Sequence, residues 1–275
     1  MATITNSMQN VPSVATSQKT MPFLGQVLMM TKRSMITLLR TPEAILPNLF
    51  IGAFFIFVYD AALGGTTDFL PGLQGVNYIA FVLPLSIISS SLNAPAGQAM
   101  VRDIESGYFD KLLLTPVSRS ALLLGHIISS GMVIMAQALV IIGIALLMGL
   151  QPATGVGGLL VVLAAALMIG AGFGGFTTGI ALRTGNAGAT QGASFIFFPL
   201  TFLTTTFVPL EYLQGWLKTV AQINPITYIL DALRDVMIVG WNADILFTGF
   251  LACAVISVLP FFFAFFSLRA RTERK

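Results

Sequence analysis

Two short segments each gather several of the few side chains in this sequence that can ionise. The first, MVRDIESGYFDKLLLTPVSRSALLLGH at residues 100–126, brings Arg102, Asp103, Glu105, Asp110, Lys111 and Arg119 close together. Mixed charges at this density suit directional docking to another surface better than bond-making chemistry, and the plain alternative is a solvated loop. Gly107 should stop a helix arriving from the N-terminal side, and Tyr108 to Leu114 can make about two helical turns before Thr115-Pro116 breaks them. Ser118 then caps a helix that starts at Arg119. Tyr108, Leu112 and Leu113 are expected to form the apolar face of the small helix, with the charges around it. The second segment, residues 209–243, carries Asp231, Arg234 and Asp235, and spacings of three and four on a helix predict local pairing of Arg234 with its acidic neighbours. A structural role outweighs a catalytic one there.

Other chemistries lack their residues. A phosphate-binding P-loop needs Gly-Lys followed by Ser or Thr, but Lys19, Lys32, Lys111, Lys218 and Lys275 follow Gln18, Thr31, Asp110, Leu217 and Arg274. Any nucleotide-driven work must therefore be powered by another polypeptide. With His126 and Cys253 the only residues of their kinds, paired-His metal motifs, clustered thiolates and internal disulfides are excluded. There is no G-x-S-x-G elbow. His126 reads as a packing residue near a span's end, with a proton relay as the lesser alternative. No carboxylate falls at the centre of an apolar run, which counts against ion-coupled transport.

The elements that must position these segments follow from composition. Of 275 residues, 56% are apolar and 9% charged, with a mean hydropathy of +0.87, whereas soluble domains carry about 25% charged residues. Uncharged runs cover 44–59, 69–101, 120–182, 184–210 and 245–268, and a span needs ~20 residues to cross a ~30 Å core. The run from 120 to 182 must turn once, at Gln151-Pro152-Ala153-Thr154-Gly155. The runs are apolar all round, so they are helices and not barrel strands. The expectation is an all-α membrane protein with six transmembrane helices at 44–64, 77–98, 121–149, 156–182, 187–208 and 245–268.

Six spans place both ends on one side. All basic residues except Lys218 and Arg234 then fall on the side of the termini, which makes that side cytoplasmic. This asymmetry also accounts for the pI near 9.2 and the net charge of +3, so nucleic acid is not an expected partner. Residues 1–21 are polar and without an apolar core, so they read as a cytoplasmic tail and not a signal peptide. Residues 22–40 read as an amphipathic helix, with Leu24, Leu28, Met35 and Leu39 towards lipid and Gln26, Arg33 and Arg40 towards headgroups or a partner subunit. Residues 41–270 hold the bundle and 271–275 a basic tail. Thr41-Pro42-Glu43 suits a helix start.

Outside the spans, 209–243 should be a membrane-associated hairpin broken at Asn224-Pro225, with helices over 212–222 and 226–239 and Trp216 and Trp241 at an interface. Ala171, Gly175 and Gly179 lie at steps of four on one side of the fourth span, which predicts close packing against another helix. Phe195, Phe197, Phe198, Phe202 and Phe207 in the fifth span face lipid or line an apolar path.

Two motifs carry a family resemblance covering roughly residues 22–270. Glu105-Ser106-Gly107, the run Leu112 to Arg119 and Leu124-Gly125 resemble the coupling-helix loop of ABC-2 type permeases, in particular the daunorubicin-resistance-like branch of drug and lipid exporters. Asn224-Pro225-Ile226-Thr227-Tyr228 with Asp231-Ala232-Leu233-Arg234 is similar to that family's stretch before the last helix. The resemblance implies a type V ABC exporter-like fold: a connecting helix at 22–40, a cytoplasmic coupling helix within 100–119 and an outer re-entrant hairpin at 209–240. It further implies a separate ABC ATPase subunit that binds ATP and Mg, a second permease copy meeting this one through the first and fifth spans, and no cofactor in this chain. The cell membrane, of prokaryotic inner-membrane type, is the implied location, and hydrophobic or amphipathic molecules the implied cargo. An ATP-independent carrier or channel, or a membrane-anchoring assembly subunit, are the alternatives.

Overall fold

The computed structural model describes residues 21–65, 77–92, 94–206 and 210–273. The predicted tail up to residue 20, Phe207, and Arg274 and Lys275 lie outside the described residues. The described chain is helical. Helix α1 (Phe23–Leu39) leads through a 3-10 turn at Pro42–Ala44 into α2 (Leu46–Leu63). Helices α3 (Tyr78–Ser91) and α4 (Ala96–Glu105) are followed by the short α5 (Tyr108–Leu113). Two long helices, α6 (Arg119–Leu147) and α7 (Gly155–Thr184), precede the short α8 (Ala187–Ser194) and α9 (Phe197–Phe202). Helices α10 (Gly215–Ile223) and α11 (Pro225–Ile238) form the expected hairpin, and α12 (Ala243–Glu273) closes the chain.

Five stretches among the described residues are long and apolar enough to cross a membrane: α2, α3 continued by α4, α6, α7 and α12. The expected uninterrupted fifth span is not found. Pro199 has no N–H to offer the Phe195 carbonyl four residues back, and the chain tightens there into three-residue hydrogen bonds, Phe195 N–H to Gly192 O, Ile196 N–H to Ala193 O and Phe198 N–H to Phe195 O. Helix α8 thus continues into α9 through a tightened turn. Helical conformation then ends at Leu203, where ψ is 44°. At the C-terminus, α12 runs on to Glu273, so Arg271 is helical and not part of a tail.

Every residue of α3 is buried, and α3 packs against α2, α6, α7 and α11. Its serines return their hydroxyls to the helix backbone, as Ser86 does to Val82 O and Ser91 to Ile87 O. Helix α7 is held on two faces. Gly172, Gly175 and Gly179 lie against α12, where a Cβ on Gly172 would sit 2.5 Å from the Ile256 carbonyl oxygen. Gly170, Ala171 and Gly174 instead face α6, at Ile134, Gly131 and Ser130. Of the predicted stripe, Gly175 and Gly179 therefore pack on one neighbour and Ala171 on another. Small residues on both faces let the helix backbones approach, which drives association where lipid supplies no hydrophobic force.

Candidate functional site

The six-residue helix α5 is seated at the end of the bundle formed by the last residues of α4, α7 and α12 and the first of α6. Phe109 and Leu112, three apart, are buried 1% and 7% exposed among Met100, Val101, Leu122, Leu123, Leu182 and Leu268. Leu112 is thus the inward anchor of the helix and not part of its outer face, and Phe109, which the sequence reading passed over, is the second anchor. The outward face holds Glu105, Tyr108, Asp110, Lys111, Leu114, Thr115 and Pro116, with Leu114 89% exposed. Gly107 supplies the turn between α4 and α5 with φ of 68°, a conformation that costs other residues. Thr115 Oγ1 donates to Leu112 O at 2.6 Å, ending α5, and Ser118 Oγ accepts from Ala121 N at 3.1 Å, capping α6 as expected. Arg119 reaches Thr272 Oγ1 at 2.8 Å.

Asp103 points inward. Arg33 of α1 holds it through a two-pronged pair, Nη1 to Oδ2 at 2.8 Å and Nη2 to Oδ1 at 2.6 Å. His126 Nε2 stands 3.3 Å from the same Oδ2, placing the lone histidine in a buried charge cluster. Burial pulls the Arg33 guanidinium down, but its bonds to Asp103, the adjacent Asp103 charge and the nearby Tyr108 outweigh that and leave it above its ordinary value. Arg33 therefore serves this chain and not a lipid headgroup. Arg102 lies 3.9 Å from Glu43, an exposed and weak pair. The opposite side of α1 exposes Leu24, Leu28 and Leu39, as the pattern predicts for a lipid-facing side, whereas Met35, expected with them, is half-buried and packs against the cluster of Leu38, Ala99 and Val133.

At the other end of the bundle the hairpin motif is a clasp on the end of α9. Asn224 Oδ1 accepts from Ile226 N at 3.0 Å, capping α11, while its Nδ2 donates to Leu200 O at 2.8 Å and Leu203 O at 3.1 Å. Pro225 occupies the first position of α11, where a missing N–H costs nothing. Arg234 is buried, and its guanidinium donates to Phe81 O in α3 at 3.0 Å, to Thr205 O and to Thr206 O at 3.0 Å, while stacking 3.6 Å from the Phe81 ring centroid. No ion pair of Arg234 with Asp231 or Asp235 is present among the described residues; Thr205 stands between, donating its hydroxyl to Asp231 Oδ1 at 3.0 Å. The expected local pairing is replaced because carbonyls left bare past the end of α9 need donors more than α11 needs a surface ion pair. Burial pulls the Arg234 guanidinium down to about 10, against the raising effects of Asp231 and Tyr78. Burial pushes the Asp231 carboxyl up, partly offset by Thr205 and Arg234. Thr227 is buried in α11, and Tyr228 donates its hydroxyl to Gln222 O at 2.7 Å, bracing the hairpin.

Between α9 and α12, floored by α7 and roofed by the α10–α11 turn, lies an apolar cavity of about 440 Å³ bounded by Phe173, Phe197, Leu200, Ile223, Pro225 and Ile256. A second, of about 180 Å³, shares Phe173, Phe197, Pro225 and Ile256 and runs on to Leu259 and Pro260. Phe197 thus lines a cavity, whereas Phe195 and Phe198 are exposed. No cluster of metal-ligating side chains occurs among the described residues.

The family profile of the ABC-2 type transporter matches residues 25–238. The chain is 22% identical over 214 residues to the probable doxorubicin resistance ABC transporter permease protein DrrC of Mycobacterium tuberculosis, covering 77% of this chain and 76% of that one. It is 21% identical over 230 residues to the daunorubicin resistance ABC transporter permease protein DrrB1 of Streptomyces coeruleorubidus, covering 82% and 77%. The putative transport permease ycf38 of Cyanophora paradoxa is 22% identical over 218 residues, covering 77% and 74%. The matched region runs from α1 to the end of α11 and so takes in both the seated helix α5 and the α9 clasp: this chain belongs to the ABC-2 type transporter family, as the multi-pass membrane subunit of an ABC transporter and not itself an enzyme.

Proposed function

We propose that this chain is the permease of an ATP-binding cassette exporter that moves a hydrophobic or amphipathic molecule, drug-like or lipid, out of the cytoplasm or the inner leaflet. A separate ATPase subunit binding ATP and Mg docks on α5 from the cytoplasm. Both termini lie on that side, in a prokaryotic cell membrane. The sixth crossing is made by α8 and α9 as a kinked span, and the α10–α11 hairpin enters the membrane from the outer side. A second permease copy packs through the apolar faces that α2 and α8–α9 leave open, where Phe50, Phe54, Phe57, Phe195 and Ile196 are exposed. The apolar cavity beside α9 supports a cargo or cargo portion without charge.

The observation that carries this reading is α5 itself. A helix too short to be stable alone is pinned by two buried side chains and, together with Glu105 at the end of α4, presents Tyr108, Asp110, Lys111 and Leu114 outward. Those are the means to receive a partner and pass its displacement to α4, α6, α7 and α12. ATP binding closes the ATPase pair, α5 moves with it, and hydrolysis resets the helices; the docking contacts persist through both states because a ligand shifts an equilibrium only through its differential affinity.

The test uses inverted membrane vesicles carrying this permease and its cognate ATPase, with doxorubicin as the cargo probe and copurification as the docking readout. Glu105→Arg should release the ATPase and end ATP-dependent uptake while the permease stays inserted. Uptake that persists with the ATPase absent, or an ATPase that binds the Glu105→Arg variant undiminished, sinks the reading.

A further inference from the structure

One side chain grips both sides of a backbone hinge. Gly107 separates α4 from α5 with φ of 68° and ψ of 6°, and a Cβ there would meet nothing within 4 Å, so the joint itself packs on nothing and α5 is held to the bundle only beyond it, through Phe109 and Leu112. Hinges of this kind absorb displacement by changing φ and ψ. Part of a push on α5 would therefore be spent in bending at Gly107 before it reached α4. Arg33 lies across that joint. On the α4 side its guanidinium forms the two-pronged bond to Asp103, and on the α5 side it lies 4.2 Å from the centroid of the Tyr108 ring. The carboxylate it grips is also approached by His126 Nε2 from α6, at 3.3 Å. Both of its contacts use what a guanidinium has and an ammonium lacks, a planar fork and a flat face.

The strap is anchored at its other end. Helix α1 runs along α6 so closely that a Cβ on Gly125 would lie 2.5 Å from Met30 Cβ. Gln26 Oε1 also accepts a hydrogen bond from Ser118 N at 2.8 Å, fixing α1 to the start of α6. Arg33 thus projects from a braced helix onto the moving joint.

We propose that Arg33 is a positioning residue that locks the Gly107 hinge, so that displacement of α5 is delivered to α1, α4 and α6 together instead of being lost as a local bend. This rests on the reading of α5 as the docking helix, and the test separates the two. Spin labels are placed at exposed sites, on α1 through Leu24→Cys and at the end of α5 through Leu114→Cys, in a Cys253→Ala background. Label-to-label distance distributions are recorded in lipid nanodiscs for the permease alone. The parent should give a narrow distribution. Arg33→Ala should widen it about twofold, and Arg33→Lys, which keeps the charge but not the flat face, should restore only part of the order. Tyr108→Leu leaves the Asp103 bond in place and alters an exposed ring, so it keeps the test valid if Arg33→Ala misfolds; it too should widen the distribution.

Unchanged widths in Arg33→Ala and Tyr108→Leu, or in Tyr108→Leu alone if Arg33→Ala does not fold, overturn the strap. Full recovery of the parent width by Arg33→Lys also overturns it, since charge alone would then suffice. If the variants widen but the ATPase copurifies undiminished with Glu105→Arg, the strap stands and the docking reading falls.

Discussion

Replacing Arg234 with methionine should loosen the end of α9 from the rest of the bundle. The guanidinium is the donor for three carbonyls, Phe81 O, Thr205 O and Thr206 O, in a site where Arg234 is 6% exposed. Stranding a buried acceptor costs about 1–3 kcal/mol, so the two carbonyls past α9 place the loss at roughly 2–6 kcal/mol, and the stacked cation over Phe81 adds about 2 when desolvated. Against this, removing a buried cation recovers a desolvation penalty of several kcal/mol. The balance is a destabilisation of about 3–5 kcal/mol, the range seen when one partner of a buried charged network is removed. On the scale of about 2–4 °C per kcal/mol for chains of this size, the apparent unfolding temperature of the purified permease should fall by roughly 10 °C. Backbone amides from Thr204 to Thr206 should also exchange faster with deuterated solvent. Arg234→Lys should recover less than half of the loss, since one ammonium cannot serve three carbonyls in a fork. An Arg234→Met protein that unfolds within about 2 °C of the parent, with exchange at Thr204 to Thr206 unchanged, would refute the clasp.

Truncating Phe109 to alanine removes one of the two anchors of α5 and should cost about 3–5 kcal/mol of local seating; the permease should remain inserted while its ATPase copurifies more weakly, read by pull-down. Leu112→Pro should both break the short helix and withdraw its other anchor, ending ATP-dependent uptake in vesicles without loss of expression. Gly125→Leu should displace α1 from α6, because even a Cβ would fall 2.5 Å from Met30 Cβ, and limited proteolysis should then cut within 22–40. Gly107→Ala, by contrast, meets open space and bears only the penalty of its positive φ, of order 1 kcal/mol, so its thermal stability should stay close to that of the parent.

The asymmetry between the long helices and the fifth span shows what one-dimensional reading can reach. Helices α6, α7 and α12 were legible because uncharged runs of sufficient length have no favourable alternative in lipid, and their ends follow from Ser118, Gly155 and the charges beyond. The kink before α9 was also encoded, in Pro199, but hydropathy averages over it. The identity of α5 as a distinct helix followed from Gly107 and Thr115-Pro116, yet Leu112 was assigned with Tyr108 and Leu113 to the apolar face offered to a partner, because nothing in six residues tells which side meets the bundle. Phe109 was signalled only by its three-residue spacing from Leu112.

Charge pairing marks the boundary most sharply. Local spacing suggested that Arg234 would turn to Asp231 or Asp235, and the basic side of α1 suggested that Arg33 would face headgroups. Both are engaged at long range, Arg33 with Asp103 seventy positions away and Arg234 with a carbonyl of α3. Composition and run length alone determined that this chain is helical and crosses a membrane several times, since the cost of bare backbone in hydrocarbon leaves few options. Which charge meets which partner was decided by the packing of helices remote in sequence, because a buried cation takes whatever acceptors the assembled bundle has left without a donor.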